Sequence, residues 1–189
     1  MNKPFIVKAF LHTKKVLTHK FYVAGAMIDM GMPLKGLMHD MSKFSPTEFF
    51  ESVKYYQGNR SPIDAAKEEN GVSKAWLHHK GRNLHHPEYW VDYLDEGGRG
   101  QIMPFKYAVE MIGDYIGAGK AYNKKDWTYN TPLDYWMKTK YEKAKIHPLM
   151  KKFYTAVFQE IAANEVLPDK YYLKVMYEKI IIQEKGWEV

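Results

Sequence analysis

Seven of the eight histidines lie within the first 86 residues, and four of them form two adjacent pairs, His78-His79 and His85-His86. The chain contains no cysteine, which removes thiolate nucleophiles, disulfides, iron–sulfur ligation and CxxC redox chemistry. Any metal must therefore be held by imidazole and carboxylate. His39-Asp40 is the first such pairing. It follows Leu37-Met38 and precedes Met41, so both groups emerge from apolar surroundings. On a helix, neighbouring side chains point about 100° apart and can both reach one cation beside it. Lys43 comes three residues after Asp40, close enough to face an anion held on that cation. An isolated His-Asp dipeptide is ordinarily a buried histidine beside a solvated aspartate. Here the surrounding histidines point instead to a ligand pair.

Further donors follow the same logic. His19 sits on the apolar stripe of the first segment between Val16 and Val23, with His12 seven residues earlier as an outer partner at most. Trp76, His79, Asn83, His86 and Trp90 are spaced 3, 4, 3 and 4, one face of a helix if the helical path continues. The tryptophans mark that face as buried, which turns His79 and His86 inward and His78 and His85 outward. The turn before Pro87 offers His85 as the alternative to His86. Asp114 lies among Ala108, Val109, Met111, Ile112, Tyr115 and Ile116, where an unpaired aspartate is costly. With the histidines it becomes a candidate ligand. Lys43, Lys80, Arg82 and Asn83 are candidates for holding a phosphate, with a solvated helix face as the plain reading of the charged members.

The order His19, His39-Asp40, His79, His86, Asp114 on consecutive helices resembles the HD-domain superfamily of metal-dependent phosphohydrolases. HDMSK also resembles the form of the motif whose lysine faces substrate phosphate. More closely, HDMSKFSP with AWLHHKGRNLHHPEYW is similar to a largely uncharacterised bacterial and phage family within or near that superfamily. The resemblance covers about residues 12–120. It implies an all-α HD-like bundle and one metal held by His19, His39, Asp40 and Asp114. A second ion would be held by His79 and His86 with Asp40 as bridge. Only six residues separate His79 from His86, fewer than in many two-metal relatives, so one or two ions are implied. Mixed nitrogen and oxygen donors suit Mn, Fe, Co, Ni or Zn. The implied activity is hydrolysis of a nucleotide or other small phosphorylated substrate by metal-activated water, with Asp40 and Lys43 at the reacting centre. Two other readings stand beside it: a di-iron oxygenase, because some proteins with this ligand order activate oxygen, and a non-catalytic metal-binding interaction module.

The elements that must position these groups are helical nearly throughout. Ile6, Ala9, Phe10, Val16, Val23 and Met27 fall at helical spacing, predicting a helix from about residue 4 to Met30, with a break near Thr13 left open. A short helix is expected from Leu34 to about Met41. Ser45-Pro46-Thr47-Glu48 and Ser61-Pro62-Ile63-Asp64 carry helix-start signals, the first with glutamate where a capping box wants it. Ser73 opens a helix to about Leu84, Pro104 one to about Tyr122, and further helices fit 133–146, 148–164 and Asp169 to Glu184. No strand is predicted. The expected organisation is an HD-like core over 1–123 with C-terminal helices over 124–189 packed on the same domain.

Composition agrees with a single globular unit of 189 residues, 46% hydrophobic and 26% charged. The longest apolar run, Phe21 to Ile28, is far shorter than a membrane span, and lysines and histidines interrupt any signal-peptide core. A cytoplasmic protein without a membrane partner is expected. The net charge of +6 is spread evenly, and only three of the 28 basic residues are arginine. This argues against a nucleic-acid surface and suits a small anionic substrate. Oligomeric state is left open.

Overall fold

The structure, a computed structural model, describes residues 3–94 and 97–182. The described residues form nine α-helices and one minimal strand pair, so the chain is all-α. α1 (Phe5–Asp29) runs unbroken through Thr13 and stops before Gly31, whose φ of 74° suits glycine. α2 (Pro33–Met38) ends before the expected Met41, because His39 is extended and Asp40 is left-handed. α3 (Pro46–Lys54) and α4 (Pro62–Asn70) start as their sequences predict. The Ser45 and Ser61 hydroxyls accept from the N–H groups of Glu48 and Ile63, and proline occupies the first helical position of each.

α5 (Lys74–Arg82), capped by Ser73, ends before the expected Leu84. A 3₁₀ turn over Pro87–Trp90 then leads into β1 (Val91–Asp92), which pairs antiparallel with β2 (Arg99–Gly100). Two residues per strand leave no alternation for a sequence to display. α6 (Phe105–Asn123) is the second long helix. α7 (Thr131–Trp136) widens into a π turn over Met137–Tyr141, so the expected helix over 133–146 is cut short. α8 (Pro148–Asn164) and α9 (Lys170–Tyr177) complete the chain, α9 widening over Glu178–Ile182. The expected helix end at Glu184 lies outside the described residues. No described helix is long and apolar enough to cross a membrane.

One hydrophobic cluster joins Val23 and Met27 of α1, Ile112 and Ile116 of α6, Trp136 of α7, Phe153, Val157 and Phe158 of α8, and Leu173 of α9. Residues on both sides of position 123 therefore share a core. The α1–α6 contact decides the site. A methyl group on Gly117 would stand 2.4 Å from Val23 Cγ2 and 2.7 Å from the Val23 backbone nitrogen. On Gly113 it would meet the Met27 sulfur at 2.5 Å, and on Gly36 of α2 it would meet Ala24 Cα at 2.9 Å. These glycines let three backbones approach closely, and Asp114 sits beside one of them.

Gly117→Ala should lower stability by about 1–3 kcal/mol, the usual range for overpacking a close contact. Gly25→Ala, whose added methyl meets nothing within 4 Å, should be neutral or stabilise by roughly 0.5–1 kcal/mol. Urea denaturation of both variants against the parent chain checks the contrast, and equal stability would remove the close-approach role of Gly117.

Candidate metal centre

His39 and Asp40 are not on a helix. They occupy the turn between α2 and a 3₁₀ turn over Met41–Phe44, with Asp40 at φ 54°, ψ 28°. Aspartate tolerates this left-handed conformation better than most residues, and the kink aims both side chains inward. The Lys20 ammonium holds the turn by donating to the carbonyls of Leu37 and His39. His39 and Asp40 are 0% and 2% exposed, so neither is the solvated partner of an ordinary dipeptide.

Two donor groups meet at Asp40. In the first, His19 Nε2 lies 3.1 Å from Asp114 Oδ1 and 3.8 Å from Asp40 Oδ2. His39 Nε2 lies 3.3 Å from Asp40 Oδ2 and 3.4 Å from both Asp114 Oδ1 and His19 Nε2. In the second, His79 Nε2 and His85 Nε2 lie 3.4 and 3.6 Å from Asp40 Oδ1, and His86 completes the group. Metal–ligand bonds of about 2.0–2.2 Å put neighbouring donors roughly 3.0–3.5 Å apart; most of these separations fall in that range, with His85 and His19 slightly farther from Asp40 at 3.6 and 3.8 Å. Asp40 Oδ1, His85 Nε2 and His86 Nε2 are buried with no hydrogen-bond partner. Buried polar atoms are rarely left so, and a cation would satisfy all three. The residues present fit a metal.

The histidine pairs depart from the helical-wheel expectation in one respect. His79 is inward and His86 reaches the second group, but His85, at 1% exposure, is the most buried of the four. α5 stops at Arg82 and Asn83 is extended, so a helical phase carried from Trp76 to Trp90 no longer holds after Arg82. His78 is half-buried and bonds Glu48.

Two carboxylates missing from the sequence reading orient these rings. Glu110 Oε1 meets His39 Nδ1 at 3.3 Å and lies 3.4 Å from His85 Nδ1 without a hydrogen bond to it, and its other oxygen pairs with Lys35 at 2.8 Å. Glu48 joins His79 Nδ1 at 2.7 Å and His78 Nδ1 at 2.6 Å. Holding a histidine by Nδ1 leaves Nε2 free to face a metal, the usual outer arrangement of such sites. Glu110 stands four residues before Asp114, on the same helical face, and that spacing was the available signal. Glu48 reads in sequence only as a capping-box residue.

The phosphate candidates separate. Lys43 is at the centre, its ammonium 2.5 Å from Asp40 Oδ2. Asn83 is close by, but its amide is committed to Ser42 Oγ and the His79 carbonyl. Lys80 is half-buried and Arg82 exposed, and neither lines the cavities at the centre. His12 does line one of them, packed near Phe49 and Tyr56.

Electrostatics follow from this crowding. Burial alone would raise the Asp40 carboxyl, but Lys43, His39 and His79 outweigh it and hold the group well below the usual carboxylate range. Asp114 is likewise lowered against burial, by His19 and His39. His39 is raised despite its burial, through Asp40, Asp114 and Glu110. His86 goes the other way: burial, His85 and His79 outweigh Asp114 and Asp40 and push it well down, so it stays a neutral imidazole. Burial, Lys43 and Lys15 lower His12 to about 4.

The chain belongs to a family of unknown function, DUF5662, whose model matches residues 8–161. That span contains every donor described above. No curated protein and no solved structure matches the chain.

Asp40→Ala should lose stoichiometric metal while remaining helical by circular dichroism. His85→Ala should lose as much metal as His79→Ala, and His78→Ala less. Glu110→Gln should weaken metal affinity by roughly 10–100-fold, the usual effect of losing an outer partner. Elemental analysis and calorimetric titration check these, and undiminished metal in Asp40→Ala would remove the centre.

Proposed function

We propose that this protein is a metal-dependent phosphohydrolase with an HD-type centre, acting on a small phosphorylated substrate. The observation that carries this reading is the division of Asp40, one oxygen toward His19 and His39 and the other toward His79 and His85. His19, His39, Asp40 and Asp114 would hold one divalent ion, and Asp40, His79, His85 and His86 a second. When bound, such ions supply Lewis acidity toward a phosphoryl oxygen and a water acidic enough to attack near neutral pH.

The chain's own residues supply the rest. A cavity of about 240 Å³ opens on the centre between Lys15, Lys43, His12, His19 and Tyr122. Lys43 lines this cavity with its ammonium held on Asp40 Oδ2, beside the space a phosphate would enter and within reach of a charge-assisted hydrogen bond to it. Lys15 extends the same positive wall and is anchored by the Gly58 carbonyl. Arg60 is held by Glu68 at 2.6 Å and adds little. His12, neutral near pH 7, offers a hydrogen bond without adding charge. In the net reaction the water oxygen bonds to phosphorus and the phosphorus–oxygen bond to the organic group breaks. The water's proton ends on the departing oxygen.

Lys43→Ala should keep its metal, whose charge then balances Asp40, but lose roughly 10²–10³-fold in kcat, as removal of one charge-stabilising group does. The assay is phosphate release from mononucleotides and phosphomonoesters with Mn or Co added. Wild-type rates in Lys43→Ala would end its phosphate role. Oxygen consumption by the iron-loaded protein without any phosphate release would replace this reading with the di-iron oxygenase. Neither activity, with metal bound, would leave a metal-binding interaction module.

A further inference from the structure

A second cavity, about 440 Å³, reaches the centre at His85, His86 and Asp114, without Lys43 in its lining. Its walls are Trp76, Met111, Tyr115, Tyr122 and Tyr135, with Pro87 and Ala118 between them. His86, Asp114, Ala118 and Tyr122 line both cavities, so the two adjoin at the same donors. One side is basic and the other aromatic. This division is what a phosphate with a flat organic group requires.

Resting on the phosphohydrolase reading, we propose that the aromatic cavity holds the organic group of the substrate, and that this group is a planar aromatic ring carrying one polar substituent. The ring preference comes from the walls. Tyr115 and Tyr135 stand edge to face at 5.4 Å, and Trp76 stands edge to face with His86 at 5.3 Å, leaving faces and edges on which an aromatic ring packs well. The single substituent comes from the Tyr115 hydroxyl, which is buried without a hydrogen-bond partner. A buried hydroxyl is costly to leave so, and a polar group on the ring would complete it. The remaining cation, Lys140, is already paired with Glu88 at 3.1 Å. A sugar would bring several hydroxyls against apolar walls, where most would lose water without replacement. The inferred reaction is therefore aryl phosphate plus water giving the aryl alcohol and orthophosphate.

Two measurements on the full chain test this. The first compares hydrolysis of 1-naphthyl phosphate, adenosine 5′-monophosphate and glycerol 2-phosphate by the metal-loaded parent and by Tyr135→Ala. Naphthyl phosphate should have at least a tenfold higher kcat/KM than either of the others. Tyr135→Ala should raise KM for the naphthyl ester alone by about tenfold, leaving glycerol 2-phosphate unchanged. The second needs no turnover: a naphthalenediol should bind with saturable quenching of tryptophan fluorescence. Tyr135→Ala should weaken that binding tenfold, and Tyr115→Phe should weaken it while sparing naphthalene itself. Saturable, Tyr135-dependent binding without hydrolysis of any phosphate would support the cavity's aromatic preference and remove the phosphohydrolase reading. Absence of aromatic binding, or a preference for glycerol 2-phosphate or the nucleotide, would overturn the assignment even if phosphate is released.

Discussion

A carboxylate at 2% exposure needs positive company from several directions, and Asp40 is the point on which this structure depends. Its ammonium partner is Lys43, and four histidines stand within 4 Å of its two oxygens. Those partners come from α1, from the turn after α2, from α5 and from the loop before Pro87. The rest of the fold can be understood as the means of bringing three remote segments to one carboxylate on its own turn. The 3₁₀ turn after Asp40, the glycine contacts of α1 with α2 and α6, and the early end of α5 each contribute to that convergence.

The arrangement is layered. Donor nitrogens face Asp40 and Asp114, while the second ring nitrogens of His39 and His79 bond Glu110 and Glu48, and Glu110 is in turn balanced by Lys35. This ordering fixes ring orientation before any ligand arrives. It also separates roles among acidic residues that look alike in the sequence. Asp40 and Asp114 face inward to the centre, and Glu48 and Glu110 stand behind the histidines.

Much of this was legible in the residues. The helical spacing of apolar side chains, the Ser-Pro starts of α3 and α4 and the glycine after α4 are local signals, and local signals survive in a single sequence. His19, His39, Asp40, His79, His86 and Asp114 stood out by type and company, and the fold brings them together. What escaped was set by backbone turns and by tertiary reach. Helical geometry placed the His39-Asp40 pair on α2, whereas a left-handed aspartate re-aims it. A helical wheel carried past Arg82 placed His85 outside, whereas the chain is extended at Asn83. Glu48 and Glu110 could be assigned only by knowing which histidines lie across from them, 31 and 71 positions away along the chain.

α6 carries the site at a regular interval. Glu110, Asp114, Ala118 and Tyr122 follow one another every four residues along one face. They form, in order, the outer anchor, the inner donor, the junction of the two cavities and a shared wall. Gly113 and Gly117 lock the phase of that helix against α1. Inserting one residue into a helix turns everything beyond it by about 100° and advances it by about 1.5 Å. An insertion between Glu110 and Gly113 would thus split anchor from donor and turn both glycines away from α1 together. The length of this helical segment is as constrained as the identity of any ligand, whereas the turns flanking α6 can absorb extra residues without disturbing its phase.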